Sequence, residues 1–383
     1  MIRVGVVGLG KMGLSHLSMI AAHPDVEIGG IADSSGYVLS VLGKYTGMPT
    51  YPSMTAMLKA ERLDAVVIST PSHLHAPIVR EAAEAGLHIF CEKPFCLDAD
   101  EGRELAAHTT RLGLVTQVGY HNRFVAAFAE VKRLLDIGAV GPVSHVLAEA
   151  YGPVVLKPQG SSWRTRRAEG GGALYDYAAH PINLLNWYFG ASTHARGTVL
   201  GRVFSTETDD EVMSTLGFAD DVTAQLSVSW SDDSQRKMST KVTVWGTHGR
   251  IYADRQEIQV YLRPGATLPE GYTAGWNVRY TTDLTDPVWF YLRGEEYSAQ
   301  LDAWVRRIQA GAVEGLNDFG SASLTDATIA QMNRDAAGET TGPVSPDRGS
   351  SRTRRRWGRR GRRRGPTGPA PADHTDDRTG ITS

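Results

Sequence analysis

The fold is decided by Val4-Gly5-Val6-Val7-Gly8-Leu9-Gly10-Lys11-Met12-Gly13, near the start of a chain of 383 residues. An apolar strand runs here into a glycine-rich turn, and a helical pattern follows. Gly8 permits a tight turn, Gly10 lets the backbone approach a pyrophosphate, and Gly13 lets the helix pack closely on the strand. The start of the helix adds free N–H groups and the positive end of its dipole. The segment therefore predicts a site for a dinucleotide.

A carboxylate, Asp33, lies 20 residues beyond Gly13, at the end of the second predicted strand. At this spacing a carboxylate accepts hydrogen bonds from the hydroxyls of an adenosine ribose. The same charge repels a 2′-phosphate, and the following residues, Ser34 and Ser35, offer no cation to hold one. The sequence therefore favours NAD over NADP as the cofactor.

The first part of the chain alternates short apolar runs with helical patterns. Strands are predicted at residues 4–7, 26–31, 65–69, 88–91 and 115–119. This alternation is typical of a doubly wound parallel sheet of the Rossmann type. Beyond residue 123 a helix precedes alternating segments that predict a largely antiparallel sheet. We therefore expect an α/β fold with a dinucleotide-binding domain at 1–122 and a second α/β domain at 123–337.

The net charge differs between the body of the chain and its end. The whole chain has a formal net charge of −2, but residues 348–383 alone carry +8 and the remainder carries −10. Residues 338–383 are rich in Arg, Gly and Pro and cannot bury enough apolar surface to fold alone, so we expect a disordered tail. A nucleic acid could bind only through 348–364. A dispensable extension is the favoured interpretation of this segment.

Cysteine usage and the lack of long apolar runs limit the class of protein. The two cysteines, Cys91 and Cys96, exclude a disulfide framework and fit a reducing compartment. No run approaches the roughly 18 apolar residues of a membrane span, and the first residues lack the apolar core of a signal peptide. His73 and His75 have no third ligand nearby in the sequence, so no metal site is expected. The sequence predicts a cytoplasmic protein that does not contact a membrane.

A lysine, Lys93, follows the fourth predicted strand of the first sheet, in Glu92-Lys93-Pro94. The carboxyl ends of such strands face the cofactor crevice, where an ammonium group could donate to a substrate oxygen or to the nicotinamide ribose. Taken alone, a Lys-Pro pair also fits a solvated turn.

Asp176 and His180 are four residues apart, which on a helix places them on one face, and Asn183 extends that face. Histidine can accept a substrate proton near neutral pH while a carboxylate orients the imidazole. The same spacing fits an amphipathic helix with a structural histidine. Pro181 predicts a helix start or a kink at this point.

Together these motifs resemble a known family. In chain order they are the glycine loop, Thr70-Pro71, Glu92-Lys93-Pro94, the three glycines at 170–172 and Asp176-x-x-x-His180. The set resembles the oxidoreductases related to glucose–fructose oxidoreductase, inositol dehydrogenase and the rhizopine-catabolism proteins, the Gfo/Idh/MocA family. The resemblance covers about residues 1–335. Each motif alone is common, whereas their joint occurrence is specific.

The resemblance implies a Rossmann domain followed by an α/β domain with an open, mostly antiparallel sheet, which binds substrate and forms homodimers or homotetramers. It assigns Lys93, Asp176 and His180 to the active site, and it makes Pro94 a cis-proline that aims Lys93. One departure concerns Asn183, because many sugar- and inositol-oxidising members have aspartate there. Asparagine cannot act as a base, but it can hydrogen-bond a substrate hydroxyl.

Two sets of binding residues follow from these motifs. Tyr120 and Asn122 are included because they follow the last strand of the first sheet, and Arg164 because it could bind a carboxylate or phosphate. A structural or solvated position fits these three residues as well. The predicted cofactor contacts are Gly8, Gly10, Lys11, Met12, Gly13, Asp33, Thr70, Pro71, His75, Glu92, Lys93 and Pro94. The predicted substrate contacts are Lys93, Tyr120, Asn122, Arg164, Asp176, His180 and Asn183.

The resemblance and the residues together predict an NAD-dependent oxidoreductase that interconverts a secondary hydroxyl and a ketone on a sugar, glycoside or cyclitol. The hydride would go to nicotinamide C4 and the proton to His180, with Asp176 orienting the imidazole. One alternative is an NAD-retaining glycosidic-bond or lyase-type enzyme of the same fold. Another is a non-catalytic regulator that senses NAD and a sugar.

Overall fold

The computed structural model describes residues 1–156 and 163–339. These described residues belong to one compact unit. Almost all of the predicted tail, including the Arg-rich segment at 348–364, lies outside the described residues. Its disorder and its dispensability stay predictions.

The first 118 residues form a six-stranded parallel sheet with helices between the strands, as the alternation predicted. The strands are β1 (Ile2–Val7), β2 (Val26–Ala32), β3 (Thr50–Tyr51), β4 (Ala65–Ile68), β5 (His88–Cys91) and β6 (Thr116–Val118). The helices are α1 (Lys11–Ala21), α2 (Gly36–Thr46), α3 (Met54–Ala60), α4 (His75–Glu84) and α5 (Ala99–Arg111).

The strand order of this sheet is β3-β2-β1-β4-β5-β6, and every neighbouring pair is parallel. The central strand β4 is buried along its whole length, as expected for a strand with helices on both faces of the sheet. The order changes direction between β1 and β4. In sheets of this kind a ligand binds in the crevice outside the carboxyl ends of the strands at that point.

A second sheet of eight strands follows. Its strands are β7 (Val143–Tyr151), β8 (His194–Gly201), β9 (Glu211–Gly217), β10 (Thr223–Ser229), β11 (Ser239–Gly246), β12 (Gly249–Ala253), β13 (Glu257–Leu262) and β14 (Gly275–Tyr280). The order is β14-β13-β12-β11-β7-β10-β9-β8, and only β7 and β10 pair in parallel. The predicted open, mostly antiparallel sheet is confirmed.

Five further helices are α6 (Ala126–Asp136), α7 (Ala179–Phe189), α8 (Thr281–Leu284), α9 (Glu295–Ala310) and α10 (Phe319–Ala336). Three of them, α6, α7 and α10, pack on one face of the second sheet. In contrast, α9 buries Leu301, Trp304 and Val305 against the first sheet. This return places the start of α9 beside the carboxyl ends of the first sheet.

The other face of the second sheet carries exposed apolar side chains. Trp276 is 57% exposed and Val278 49% exposed on the edge strand β14, and Met213 is 52% exposed on β9. Homodimers or homotetramers through this sheet remain a prediction. None of the helices in the described ranges is both long enough and apolar enough to cross a membrane.

Candidate active site

The glycine loop has the geometry that the sequence predicted. Gly8 has a φ of 87°, in the left-handed region that favours glycine. A Cβ on Gly13 would lie 1.8 Å from the carbonyl oxygen of Gly8, so only glycine lets α1 approach the loop. Around Gly10, by contrast, no heavy atom lies within 4 Å of a Cβ position. No side chain caps the start of α1, so its N–H groups stay available to a pyrophosphate.

Asp33 follows β2 and is fixed against the glycine loop. One carboxylate oxygen accepts a hydrogen bond from the Leu9 N–H at 2.6 Å, and the other accepts from the Ser35 N–H at 2.7 Å. Each oxygen keeps a lone pair for a ribose hydroxyl. The cavity beside Asp33 has a volume of about 630 Å³, which suits a bound cofactor. Of the predicted cofactor contacts it is lined by Gly8, Gly10, Lys11, Met12, Asp33, Thr70, Pro71, Glu92 and Lys93.

His75 is absent from the residues that line this cavity, and its contact with the cofactor stays a prediction. Its side chain is fully buried, with Nδ1 2.8 Å from the Pro94 carbonyl oxygen and Nε2 3.0 Å from the Thr70 carbonyl oxygen. Burial lowers the pKa of His75. The ring lies between the loop after β4 and the loop after β5, and in its neutral form it donates a hydrogen bond to one of the two carbonyl oxygens. Pro94 is buried behind the cavity, and the Lys93–Pro94 peptide bond is cis, as the resemblance implied.

Glu92, the first residue after β5, lines the cavity as a buried carboxylate. It contacts His16 Nε2 at 2.6 Å and accepts a hydrogen bond from the Lys93 N–H at 3.1 Å. Burial alone would raise its pKa, but the hydrogen bond and charge of His16 and the charge of Lys93 lower it overall. The carboxylate is therefore ionised and fixed next to Lys93.

Lys93 and Asp176 form the central ion pair of the site. Lys93 Nζ donates to Asp176 Oδ1 at 2.6 Å and to the Asp176 carbonyl oxygen at 2.9 Å. Arg164 Nε donates to the other carboxylate oxygen, Oδ2, at 3.0 Å. Burial would raise the pKa of Asp176, but the charges and hydrogen bonds of Lys93 and Arg164 lower it overall. A lysine ammonium has three N–H donors, so one of the three on Lys93 remains for a ligand.

His180 lines the same cavity as Lys93, but its relation to Asp176 differs from the prediction. The segment Leu174–Ala178 is a π-helical turn, and α7 begins only at Ala179. In a π-helix, hydrogen bonds join residues five apart, so a spacing of four does not align the two side chains on one face. In the described ranges no hydrogen bond joins Asp176 to His180. Asp176 instead accepts hydrogen bonds from Lys93, and its orientation of the imidazole stays a prediction.

The surroundings of His180 keep its imidazole neutral. Burial lowers its pKa well below the ordinary value, and the positive charges of Lys93 and Arg255 lower it further. Its Nδ1 atom has no hydrogen-bond partner among the described residues. Pro181 lies in the first turn of α7, directly after the π-helical turn, and has no N–H to donate to that turn.

Three predicted substrate contacts are buried and are absent from the residues that line the cavity. The chain forms a short 3₁₀ turn at His121–Phe124, which leaves Tyr120 and Asn122 buried, with the Asn122 amide directed to Thr240 Oγ1 at 3.4 Å. Asn183 is 1% exposed. Its Oδ1 accepts from Arg123 Nε at 2.7 Å, and its Nδ2 donates to Thr325 Oγ1 at 3.1 Å. The contact of these three residues with a substrate stays a prediction, and for Asn183 both amide atoms already have partners within the protein.

Sequence reasoning missed an aromatic stack that lines the cavity instead. His121 lies between Tyr120 and Asn122 and stacks on Tyr297, with 4.5 Å between ring centroids. It also meets His180 edge to face at 4.9 Å. On the far side of Tyr297 the guanidinium of Arg293 lies 5.3 Å from the ring centroid. His121 belongs to the segment that the sequence indicated, and it lines the cavity.

Models of one protein family match both parts of the chain. The model described as an oxidoreductase family with an NAD-binding Rossmann fold matches residues 2–120. The model of the GFO/IDH/MocA C-terminal domain matches residues 128–252. The two matches together cover more than half of the chain.

Curated relatives carry names of the same kind. The rhizopine catabolism protein MocA of Rhizobium meliloti is 33% identical over 189 residues, which are 49% of this chain and 57% of that protein. The chain thus spans little more than half the length of this relative. Inositol 2-dehydrogenase of Rhizobium meliloti (strain 1021) is 25% identical over 345 residues, which are 86% of this chain and 96% of that enzyme.

Solved structures share the fold. Levoglucosan dehydrogenase in complex with NADH has a TM-score of 0.77 at 22% identity, covering 88% of this chain and 98% of that one. GenD2 from gentamicin A biosynthesis in complex with NAD has a TM-score of 0.70 at 25% identity, covering 88% of this chain and 94% of that one. Because the family models match the first sheet and most of the second, the chain belongs to the Gfo/Idh/MocA family of NAD-binding oxidoreductases.

Proposed function

We propose that the chain is an NAD-dependent dehydrogenase that interconverts a secondary hydroxyl and a ketone on a sugar, glycoside or cyclitol. The observation that carries the proposal is the position of Lys93. It lines the cofactor cavity and also a neighbouring cavity of about 550 Å³ that contains His180. A hydrogen-bond donor and a neutral base therefore face one space beside the cofactor site. The name of the long-aligned relative, inositol 2-dehydrogenase, supports the class of substrate.

The residues present fit NAD. The glycine loop offers open space at Gly10 and free N–H groups at the start of α1 for the pyrophosphate. Asp33 offers carboxylate oxygens to the adenosine ribose, and Thr70, Pro71 and Glu92 line the remainder of the cavity. The chemistry that NAD supplies when it is bound is the acceptance or donation of a hydride.

The side chains divide the proton chemistry between them. The remaining N–H of Lys93 donates to the oxygen of the substrate hydroxyl and stabilises the negative charge that develops on it. His180 is neutral because it is buried, so it accepts the hydroxyl proton as a general base. Asp176 holds the ammonium group of Lys93 through two hydrogen bonds. In the reverse direction His180 returns the proton while Lys93 holds the carbonyl oxygen.

The residues of this cavity give less support to the two alternative functions. A regulator that only senses NAD and a sugar needs neither a neutral base nor an ammonium donor in its ligand cavity. An NAD-retaining glycosidic-bond or lyase-type enzyme would use the same groups transiently. It differs in that the amount of NADH released would be far smaller than the amount of product.

The test is a substrate screen with purified full-length protein and NAD, in which the absorbance of released NADH measures turnover. Neutral sugars, cyclitols, glycosides, uronates and sugar phosphates form the panel. We expect at least one class to give turnover, and we expect His180→Ala to reduce kcat/KM by about 100-fold or more, the usual scale for loss of a general base. A matched control is His108→Ala, because His108 lies on α5 outside the cavities. Full turnover in His180→Ala would contradict the proposed mechanism.

A further inference from the structure

The cavity that contains Lys93 and His180 has a strong positive charge. Seven of its lining residues are lysine or arginine, and only two are aspartate or glutamate. A neutral polyol requires no such charge, because sugar hydroxyls are bound by neutral and charged groups of either sign. The net charge of the cavity therefore depends on which of these cations already form ion pairs within the protein.

Several of the cations are neutralised inside the fold. Lys93 and Arg164 share the carboxylate of Asp176. Arg255 is ion-paired with Glu296, which is buried at the start of α9. These groups hold one another in place, and the positive charge that Asp176 leaves unbalanced is offset by Glu92 next to Lys93.

Four cations remain without an acidic partner among the described residues: Lys11, which also lines the cofactor cavity, and three others. Arg236 and Lys237 lie between β10 and β11, and Arg293 lies just before α9; all three are exposed. All three line the cavity of His180 and also an adjoining cavity of about 660 Å³. Arg236 and Lys237 do not line the cofactor cavity, whereas Arg293 lines it as well.

Arg293 is held in this position by its backbone and by its ring contact. Its φ is 70°, a left-handed conformation that costs free energy for any residue except glycine. Its guanidinium lies over the ring of Tyr297, which in turn stacks on His121 next to His180. A planar guanidinium with several N–H donors matches a carboxylate or phosphate in a bidentate manner.

We infer that the substrate is a sugar or cyclitol that carries an anionic group, a carboxylate or a phosphate, and that Arg236, Lys237 and Arg293 bind this group. The reacting hydroxyl then lies at Lys93 and His180, on the inner side of the cavity. Three neighbouring cations repel one another unless an anion lies between them, so the unliganded cavity favours an anionic ligand. The inference rests on the proposed function and names the class of substrate for the same site.

The first experiment measures binding of matched probes to the full-length protein saturated with NAD. Glucose is compared with glucuronate, glucose 6-phosphate and UDP-glucose, and myo-inositol with an inositol monophosphate, by calorimetry. We expect one anionic series to bind about tenfold or more tightly than its neutral parent, with an affinity that falls as salt is added. Comparing the affinity for glucuronate with the affinity for the phosphate esters shows whether the site prefers a carboxylate or a phosphate. The inference is overturned if neutral parents bind as tightly, or if no anionic probe binds.

The second experiment removes two of the three cations. Arg236→Gln/Lys237→Gln changes residues that line the two outer cavities and not the cofactor cavity. We expect the Kd of the anionic probe to rise about tenfold or more while the Kd of NAD stays unchanged. Arg62→Gln, at an exposed arginine outside these cavities, is the matched control. Unchanged affinity of the double variant for the anionic probe overturns the inference.

These measurements separate failure of the inference from failure of the proposed function. Binding is read without turnover, so an anionic probe that binds tightly but never yields NADH or ketone contradicts the proposed dehydrogenase alone. Turnover of a neutral sugar with no preference for its anionic counterpart contradicts the anionic substrate alone.

Discussion

Lys93 and Asp176 are 83 positions apart in the sequence, yet Lys93 Nζ lies 2.6 Å from Asp176 Oδ1. Lys93 follows β5 of the first sheet, and Asp176 lies in the π-helical turn that precedes α7 beside the second sheet. The pair therefore joins the two sheets next to the cofactor cavity. Among the described residues the carboxylate thus has a hydrogen bond with the lysine and none with His180.

A double-mutant cycle tests this relationship. Lys93→Met keeps most of the side-chain length but removes the donor, so we expect kcat/KM to fall by about 100-fold or more. Asp176→Asn should also reduce kcat/KM, because a neutral amide holds the Lys93 ammonium group less firmly than the carboxylate does. If Asp176 acts through Lys93, the double variant should be little worse than Lys93→Met alone. Lys59→Met, at an exposed lysine on α3, is the control. Fully additive losses would show that Asp176 acts on another group.

The pH dependence of alcohol oxidation follows from the environment of His180. Burial, with the charges of Lys93 and Arg255, lowers its pKa well below 6.5. The neutral form that accepts a proton is therefore retained at neutral pH and is lost only as the pH falls through that lowered pKa. We expect kcat/KM for oxidation to be level through neutrality and to decline only in acid. A decline that begins above pH 6.5 would contradict a neutral, buried His180 as the base.

The residues that the sequence predicted correctly are those that the backbone itself requires. Gly13 must be glycine because a Cβ would overlap the Gly8 carbonyl, and Asp33 must follow a strand because its partners are backbone N–H groups on either side. Such requirements are local, so a short motif reveals them. The cavity residues Lys93 and Glu92 were placed for a similar reason, since they directly follow β5.

The errors arose where tertiary packing decides which way a side chain points. Asn183 forms hydrogen bonds with Arg123 of the 3₁₀ turn and with Thr325 of α10, and neither contact leaves a periodic signal in the sequence. The helix α10 itself was not predicted, because its buried face contains polar residues that interrupt the apolar pattern. Those buried polar residues are Ser323, Thr325, Asp326 and Thr328. The strands β12, β13 and β14 were missed as well.

The choice of cofactor provides the next prediction. Asp33→Ala removes the carboxylate that repels a 2′-phosphate, so we expect the ratio of kcat/KM for NAD to that for NADP to fall by about tenfold or more. Both cofactors should bind less well, because the Leu9 and Ser35 N–H groups lose their acceptor. The ratio is therefore the informative measurement. Asp25→Ala, at an exposed aspartate before β2, is the control. An unchanged ratio would mean that another group selects the cofactor.

The last prediction concerns the buried carboxyl of Asp326 on α10. It is fully enclosed, and its Oδ2 accepts a hydrogen bond from the Cys96 N–H at 3.2 Å, while its Oδ1 has no partner among the described residues. Burial raises the pKa of Asp326 well above 3.8, so the folded protein keeps this carboxyl protonated at a pH where the unfolded chain ionises it. The group therefore lowers the free energy of unfolding as the pH rises from 3.8 through its raised pKa.

Asp326→Asn replaces the carboxyl with a neutral group of similar shape that can still accept from the Cys96 N–H. We expect the variant and the wild type to unfold at similar temperatures near the ordinary carboxyl pKa, and the variant to be more stable at neutral and alkaline pH. Thermal unfolding followed by circular dichroism across this pH range measures the difference. Asp283→Asn, at an exposed aspartate on α8, should leave the profile unchanged. A variant that is less stable at alkaline pH would indicate that Asp326 is ionised and paired in the fold.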